Sequence, residues 1–149
     1  MSNVNPKLYE NVSLVGIIDP DAYAAGAVSS GWISAKIAHS FMALIAAGTL
    51  GAAATLDAKL EQATDSSGTG AKDITGKAIT QLVKATNDDD QAVISIKQTD
   101  LDVANDFTHF RVTMTVGTAT SDASAHVFAA DFRHGDGTDN DLASVVESV

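Results

Sequence analysis

The run Ala54-Thr55-Leu56-Asp57-Ala58-Lys59-Leu60-Glu61-Gln62-Ala63-Thr64 decides the fold. Its apolar residues Leu56, Ala58 and Leu60 alternate with Thr55, Asp57, Lys59 and Glu61. A period of two belongs to a strand with one face on a core and one in water. The run stops at Asp65-Ser66-Ser67-Gly68-Thr69-Gly70, a cluster of turn formers. Two later stretches repeat the pattern. Gln91 to Thr99 sets Ala92, Ile94 and Ile96 on one face. Phe107 to Gly117 turns Phe110, Val112, Met114 and Val116 inward, and His109, Arg111, Thr113 and Thr115 outward.

The remaining segments are read around these three. Val12 to Ile18 is a first apolar strand, stopped by Asp19-Pro20-Asp21, because the residue before a proline avoids the helical region. Ala22 to Ser30 is small and Gly-containing and reads as loop, and Gly31-Trp32-Ile33-Ser34 opens a second strand region. Ser34 to Ala47 admits a helix, since Ala, Met and Leu are good helix formers. Strand is preferred because Gly48-Thr49-Leu50-Gly51 resembles a hairpin turn into the alternating run. Lys72 to Val83 is a strand with a bulge at Gly76, or a short helix. Asn87-Asp88-Asp89-Asp90 is a charged turn, Asp100 to Asp106 an acidic connection and Thr118 to Asp122 a turn. Ala125 to Arg133 is apolar on both faces and is expected to be central or covered.

This gives seven or eight strands, with turns about every 8–12 residues, the spacing of an antiparallel β-sandwich of jelly-roll type. The expected organisation is an extended arm over residues 1–11, a sandwich over 12–134, and a loose or docking tail over 135–149.

At 149 residues the chain suits one domain with a real core. Hydrophobic residues make up 45% but aromatic ones only 5%, so the core is built of small pieces and leans on long sheets or on neighbouring subunits. The net charge of −10 argues against a nucleic-acid groove and against an anionic membrane surface. It favours solubility or a basic protein partner. Without cysteine there is no disulfide, thiolate metal site or Cys nucleophile. The N-terminus has no basic leader with a long apolar region, and the apolar run Phe41 to Ala47 is far shorter than the roughly 20 residues that span a bilayer. A soluble chain made in a cytoplasm is expected.

Chemistry is sparse. Asp57 and Glu61 share a strand face but stand roughly 13 Å apart with Lys59 between them, too far for a close acid pair. Asp88, Asp89 and Asp90 read as a solvated hairpin tip. Asp136, Asp139 and Asp141 lack the glycine position and the flanking helices of a calcium loop. His39, His109, His126 and His134 show no paired ligand spacing, although His109 and His126 could face each other on neighbouring strands. Gly68-Thr69-Gly70-Ala71-Lys72 lacks the Gly-Lys-Ser/Thr ending of a phosphate loop. Trp32, Phe107 and Phe110 could form a sugar platform but suit a core, and Arg111 and Arg133 are outward ion-pair candidates. No cofactor, metal or catalytic residue is assigned.

The run from Ala47 through Leu82, and Arg111-Val112-Thr113-Met114-Thr115-Val116-Gly117, resembles a family of small tailed-bacteriophage and prophage proteins encoded among head genes near the major capsid protein. The likeness covers about residues 12–134 and contains no active-site motif. It implies a non-enzymatic virion protein on the capsid surface, a cement or decoration protein that binds the major capsid protein and self-associates, for example as a trimer. The expected contacts are Val4, Pro6, Leu8 and Tyr9 in the arm, the acids Asp57, Glu61, Asp88, Asp89 and Asp90, and Arg111. Two alternatives are a head–tail joining or tail component, and a carbohydrate- or receptor-binding sandwich that uses Trp32.

Overall fold

The computed structural model describes residues 7–134, 145–147 and 149. These form a one-turn helix α1 (Leu8–Asn11) and the strands β1 (Val12–Tyr23), β2 (Gly26–Ser29), β3 (Ile33–Ser34), β4 (Ala38–Ala47), β5 (Thr55–Ala63), β6 (Lys72–Ala78), β7 (Leu82–Val83), β8 (Gln91–Lys97), β9 (His109–Gly117) and β10 (Ser121–Phe132). Two single 3-10 turns, Gln98–Asp100 and Val103–Asn105, fill the acidic connection before β9.

Sheet I has the order β1-β10-β4-β8. Sheet II has the order β2-β9-β5-β6, with β3 also on β9 and β7 also on β5. Every pairing is antiparallel. Apart from the step from β5 to β6, the long strands alternate between the sheets. That is the double Greek key of a jelly roll.

The alternating run behaves as its period requires. In β5, Leu56, Ala58 and Leu60 are buried, while Thr55, Asp57, Lys59 and Glu61 face outward. β8 buries Ile94 and Ile96, and β9 buries Phe110, Val112, Met114 and Val116. Sheet I lines its inner face with alanines, Ala43, Ala125 and Ala129 among them, interspersed with Ile45, Ile94 and Ile96, and sheet II answers with Leu, Met and Phe. Large side chains set against small ones let the two layers interdigitate without voids. Phe41 of sheet I meets Phe110 of sheet II edge-on, with ring centroids 4.9 Å apart and an interplanar angle of 69°, the arrangement favoured by the ring quadrupoles. Among the described residues no buried side-chain polar atom lacks a hydrogen-bond partner.

Several sequence expectations are corrected. Gly48 to Gly51 is not a hairpin turn. β4 lies in sheet I and β5 in sheet II, so the segment is a crossover. It is anchored to sheet I by Gly48 N–H donating to Asp122 O at 2.8 Å. Asp19-Pro20-Asp21 does not end the first strand. The pairing with β10 jumps from Ile18↔Ala125 to Asp21↔Ala123, and this bulge lifts Pro20, which has no N–H, out of the ladder. Part of Ala22 to Ser30 is strand, because β2 pairs with β9. The arm is not extended throughout. Glu10 N–H donates to Lys7 O at 2.9 Å and Lys7 N–H to Glu10 Oε2 at 2.8 Å, closing the turn of α1. Residues 1–6, with Val4 and Pro6, lie outside the described residues, as do 135–144 of the tail.

Two expectations hold. Gly76 has φ +76°, a left-handed value, beside a break in the β5–β6 register, as a bulge glycine requires. β10 is central, between β1 and β4.

Replacing Phe110 by Ala removes the ring that bridges the sheets and leaves a cavity. We expect a loss of about 3–5 kcal/mol in unfolding free energy, read from urea denaturation.

Candidate functional site

The outer face of sheet II gathers the charged residues singled out in the sequence. The β5–β9 register sets Glu61 opposite Arg111. Arg111 Nε donates to Glu61 Oε2 at 2.8 Å, and Thr113 Oγ1 donates to the same oxygen at 2.7 Å. Lys59 Nζ stands 2.6 Å from Asp73 Oδ1 and 3.5 Å from Glu61 Oε1. Gln81 Nε2 donates to Asp57 Oδ2 at 2.8 Å. Burial pushes the Glu61 carboxyl up. The hydrogen bonds from Thr113 and Arg111, with the charges of Arg111 and Lys59, outweigh it and hold the group below its ordinary value. Lys59 is raised, chiefly by its hydrogen bond to Asp73. Glu61 is thus kept ionised and engaged, which suits a cross-strand clamp and not a general acid.

Arg111 also lies over the Trp32 ring, 4.5 Å from its centroid, a cation–π contact. Gly68, at φ +85°, packs against the same indole so closely that a Cβ there would lie 2.6 Å from Nε1. Trp32 is half-buried, with Arg111 over its ring and Gly68 against its indole edge. Phe110 is core. The turn at Gly68-Thr69-Gly70 is filled by Asp65, whose Oδ1 accepts from Ser67 N–H at 2.9 Å and Thr69 N–H at 3.1 Å. A carboxylate already occupies the amides that a phosphate would need.

Asp88, Asp89 and Asp90 lie at one end of the sandwich. Asp88 Oδ1 accepts from Leu50 N–H at 3.0 Å and its Oδ2 pairs with Lys84, so it ties the turn to the β4–β5 crossover. Asp90 Oδ2 accepts from Asn87 Nδ2 at 2.9 Å. Leu8 and Tyr9 sit in α1, which abuts β1 and β10 at the opposite end. The structure therefore brings Asp57, Glu61 and Arg111 onto one face. It separates them from the acidic turn and from the arm. His109 and His126 do not face each other on neighbouring strands, because β9 and β10 belong to different sheets. Among the described residues no three His, Cys, Asp or Glu side chains are placed to hold a metal. The Asp136, Asp139 and Asp141 loop lies outside them.

The outer face of sheet I carries no such network. Its register gives the rows Ile17–His126–Leu44–Val93 and Phe128–Met42–Ser95, flanked by Val12–Ala130–Ser40–Lys97 and Ser124–Ala46–Gln91. Only Lys97, at one corner, is charged. Met42 is 39% and Val93 55% exposed, and His126 stacks on Phe128 with centroids 6.5 Å apart. A shallow depression of about 220 Å³ opens between Val12, Ser40, Met42 and Phe128. A wider groove of about 530 Å³ lies at the acidic end, floored by Ala46, Gly48 and Ala123 and edged by Asp21 and Asp122. This apolar face is the feature that sequence reading missed. Its signal was present in the two-faced apolar character of Ala125 to Arg133 and of Phe41 to Ala47.

No family model matches the chain, and no curated protein matches it. Among solved structures, the chain is similar to a protein in the empty virus-like particle of cowpea mosaic virus, at 10% identity and a TM-score of 0.47, over 91% of this chain and 87% of that one. It is similar to one of broad bean stain virus, at 12% identity and a TM-score of 0.46, over 91% and 94%. A third likeness, to a protein of the Gt strain of infectious bursal disease virus, has 12% identity and a TM-score of 0.43, over 85% of this chain and 33% of that one. At these scores the likenesses carry no argument about role, and the jelly-roll assignment rests on the strand order above.

Because Glu61 is held below its ordinary value of 4.5, the stability it contributes is present above that pH and is lost as pH falls through its lowered value. Glu61→Gln should lower unfolding free energy by about 1–3 kcal/mol at neutral pH. The deficit should shrink in strong acid, where the wild-type carboxyl is itself protonated. Thermal melts of both proteins across that range check this.

Proposed function

We propose that the chain is a non-enzymatic structural protein of a bacteriophage particle, a cement or decoration protein that binds the major capsid protein on the outer surface of the head. One observation carries the reading: the jelly roll leaves a broad sheet face, largely apolar, open to contacts between molecules, as a protein that works within a many-copy assembly needs. Exposed apolar patches of this kind mark interaction surfaces on soluble proteins. The charged face opposite carries its own ion pairs. The sequence likeness to phage head-cluster proteins supports the particle as the setting. Contact with the shell is assigned to the N-terminal arm and to the acidic end around Asp88, Asp89 and Asp90, which suit basic patches on a capsid lattice. Repetition over a lattice turns weak single contacts into firm retention.

Purified protein should bind shells assembled without it and raise their melting temperature, because a ligand that binds only the folded shell stabilises it. No binding would remove the proposal. Deleting residues 1–11 should weaken binding while leaving the melting temperature of the isolated protein nearly unchanged, since the sandwich begins at Val12. Calorimetry with and without shells reads both effects.

A further inference from the structure

We infer that the outer face of sheet I is covered by the same face of a second copy, related by a twofold axis that runs across the strands. The inference concerns copy-to-copy contact and does not depend on shell binding. It starts from where the strands end. At one end of sheet I lie Asp19, Asp21, Asp90 and Asp122, all exposed. At the other lie Lys7, Lys36, Lys97 and Arg133, also exposed. Lys84, at the acidic end, is paired with Asp88. At the basic end Asp100 pairs with Lys77 at 3.2 Å, and Glu10, held by the Lys7 backbone N–H, and Asp131 keep their charges, so among the described residues the four cations there outnumber the unpaired acids. Between the two ends the described face has no Asp, Glu, Lys or Arg and is largely apolar, with Ile17, Met42, Leu44, Val93 and Phe128 around His126 and Ser95 at its centre.

This pattern selects its occupant. A partner with a uniformly basic rim would satisfy one end and repel the other. A second copy laid on in the same strand direction would set acid on acid. A second copy turned end for end sets each acidic end on the other's basic end, with the two apolar centres in contact. Two sheets packed this way lie about 10 Å apart with strands within about 30° of each other. The chain's excess negative charge resists association in general, so the matched ends and the uncharged centre fix where it can occur.

Area sets the strength. Four strands about 4.8 Å apart and six residues of about 3.3 Å each give roughly 400 Å² per copy. The total is then roughly 800 Å² before the charged ends are added, below the 1,200–2,000 Å² or so of a stable complex. The pair is therefore weak and concentration-dependent, formed when copies are crowded.

Sedimentation equilibrium from about 1 µM to about 1 mM should show the mass rising from one chain towards two. Met42→Glu places a carboxylate in the apolar centre and should weaken association by about tenfold or more. Met42→Gln is the milder control for folding, and circular dichroism confirms that each variant is folded. Lys97→Glu, and raising salt from about 0.05 to about 0.5 M, should each weaken association by removing or screening the end charges. Asp57→Asn, on sheet II, should leave it unchanged. A single-chain mass at every concentration would overturn the inference. So would a pair that withstands both Met42→Glu and Lys97→Glu, since it would use another surface. Monomeric wild-type protein whose shell binding is abolished by Met42→Glu would give the face to the shell instead.

Discussion

The fold depends on how two unlike inner faces fill the gap between the sheets. Sheet I brings Ala43, Ala125 and Ala129 together with Ile45, Ile94, Ile96 and Phe41, and sheet II brings Leu56, Leu60, Met114 and Phe110. The edge-to-face contact of the two rings spans the gap where the alanines alone could not. Close packing of this kind penalises any change in volume on either side. It also lets a chain with 5% aromatic residues fill its interior with aliphatic side chains from both sheets.

The two outer faces follow from the same strands and diverge in chemistry. On sheet II, Glu61 is engaged by Arg111, Thr113 and Lys59, and Lys59 by Asp73. Each charge there has its partner within the molecule, so the face is complete on its own. The sheet I face has side chains of Met42 and Val93 in solvent and no polar network across its centre. Water covers it at a free-energy cost proportional to its apolar area. The asymmetry leaves apolar side chains of sheet I in water, while the groups that look reactive in the sequence are engaged with one another on sheet II.

Legibility in the sequence tracked that asymmetry. β5, β8 and β9 were plain because one of their faces is wet and polar, which makes the period of two visible. β4 and β10 are apolar on both faces, so the period vanished, and Ser34 to Ala47 stayed open to a helical reading. The glycines at Gly48 and Gly51 announced a change of direction. They could not say which sheet the next strand would join, because that is fixed by pairing with Val116 and Thr115, some 60 residues away in β9. Pro20 looked like a terminus because its local restriction is strong, yet a bulge absorbed it. The clamp of Glu61 on Arg111 joins residues 50 apart and emerges only from strand register. The open face of sheet I was half legible: apolar residues on both sides of a strand were read as a central position, which is correct, and nothing local distinguishes a covered outer side from a bare one.

The kink at Pro20 has a consequence beyond the path of β1. β1 borders sheet I in the strand order, and a regular bordering strand is a template for any extended peptide that drifts alongside. Near Pro20 that invitation is withdrawn, since the imino ring has no hydrogen to give and the displaced backbone breaks the regular spacing an intruding strand must match. A sheet with an exposed apolar face and a regular margin runs the hazard of zipping side by side into ribbons. Here that mode of growth is obstructed where Pro20 interrupts the β1 margin.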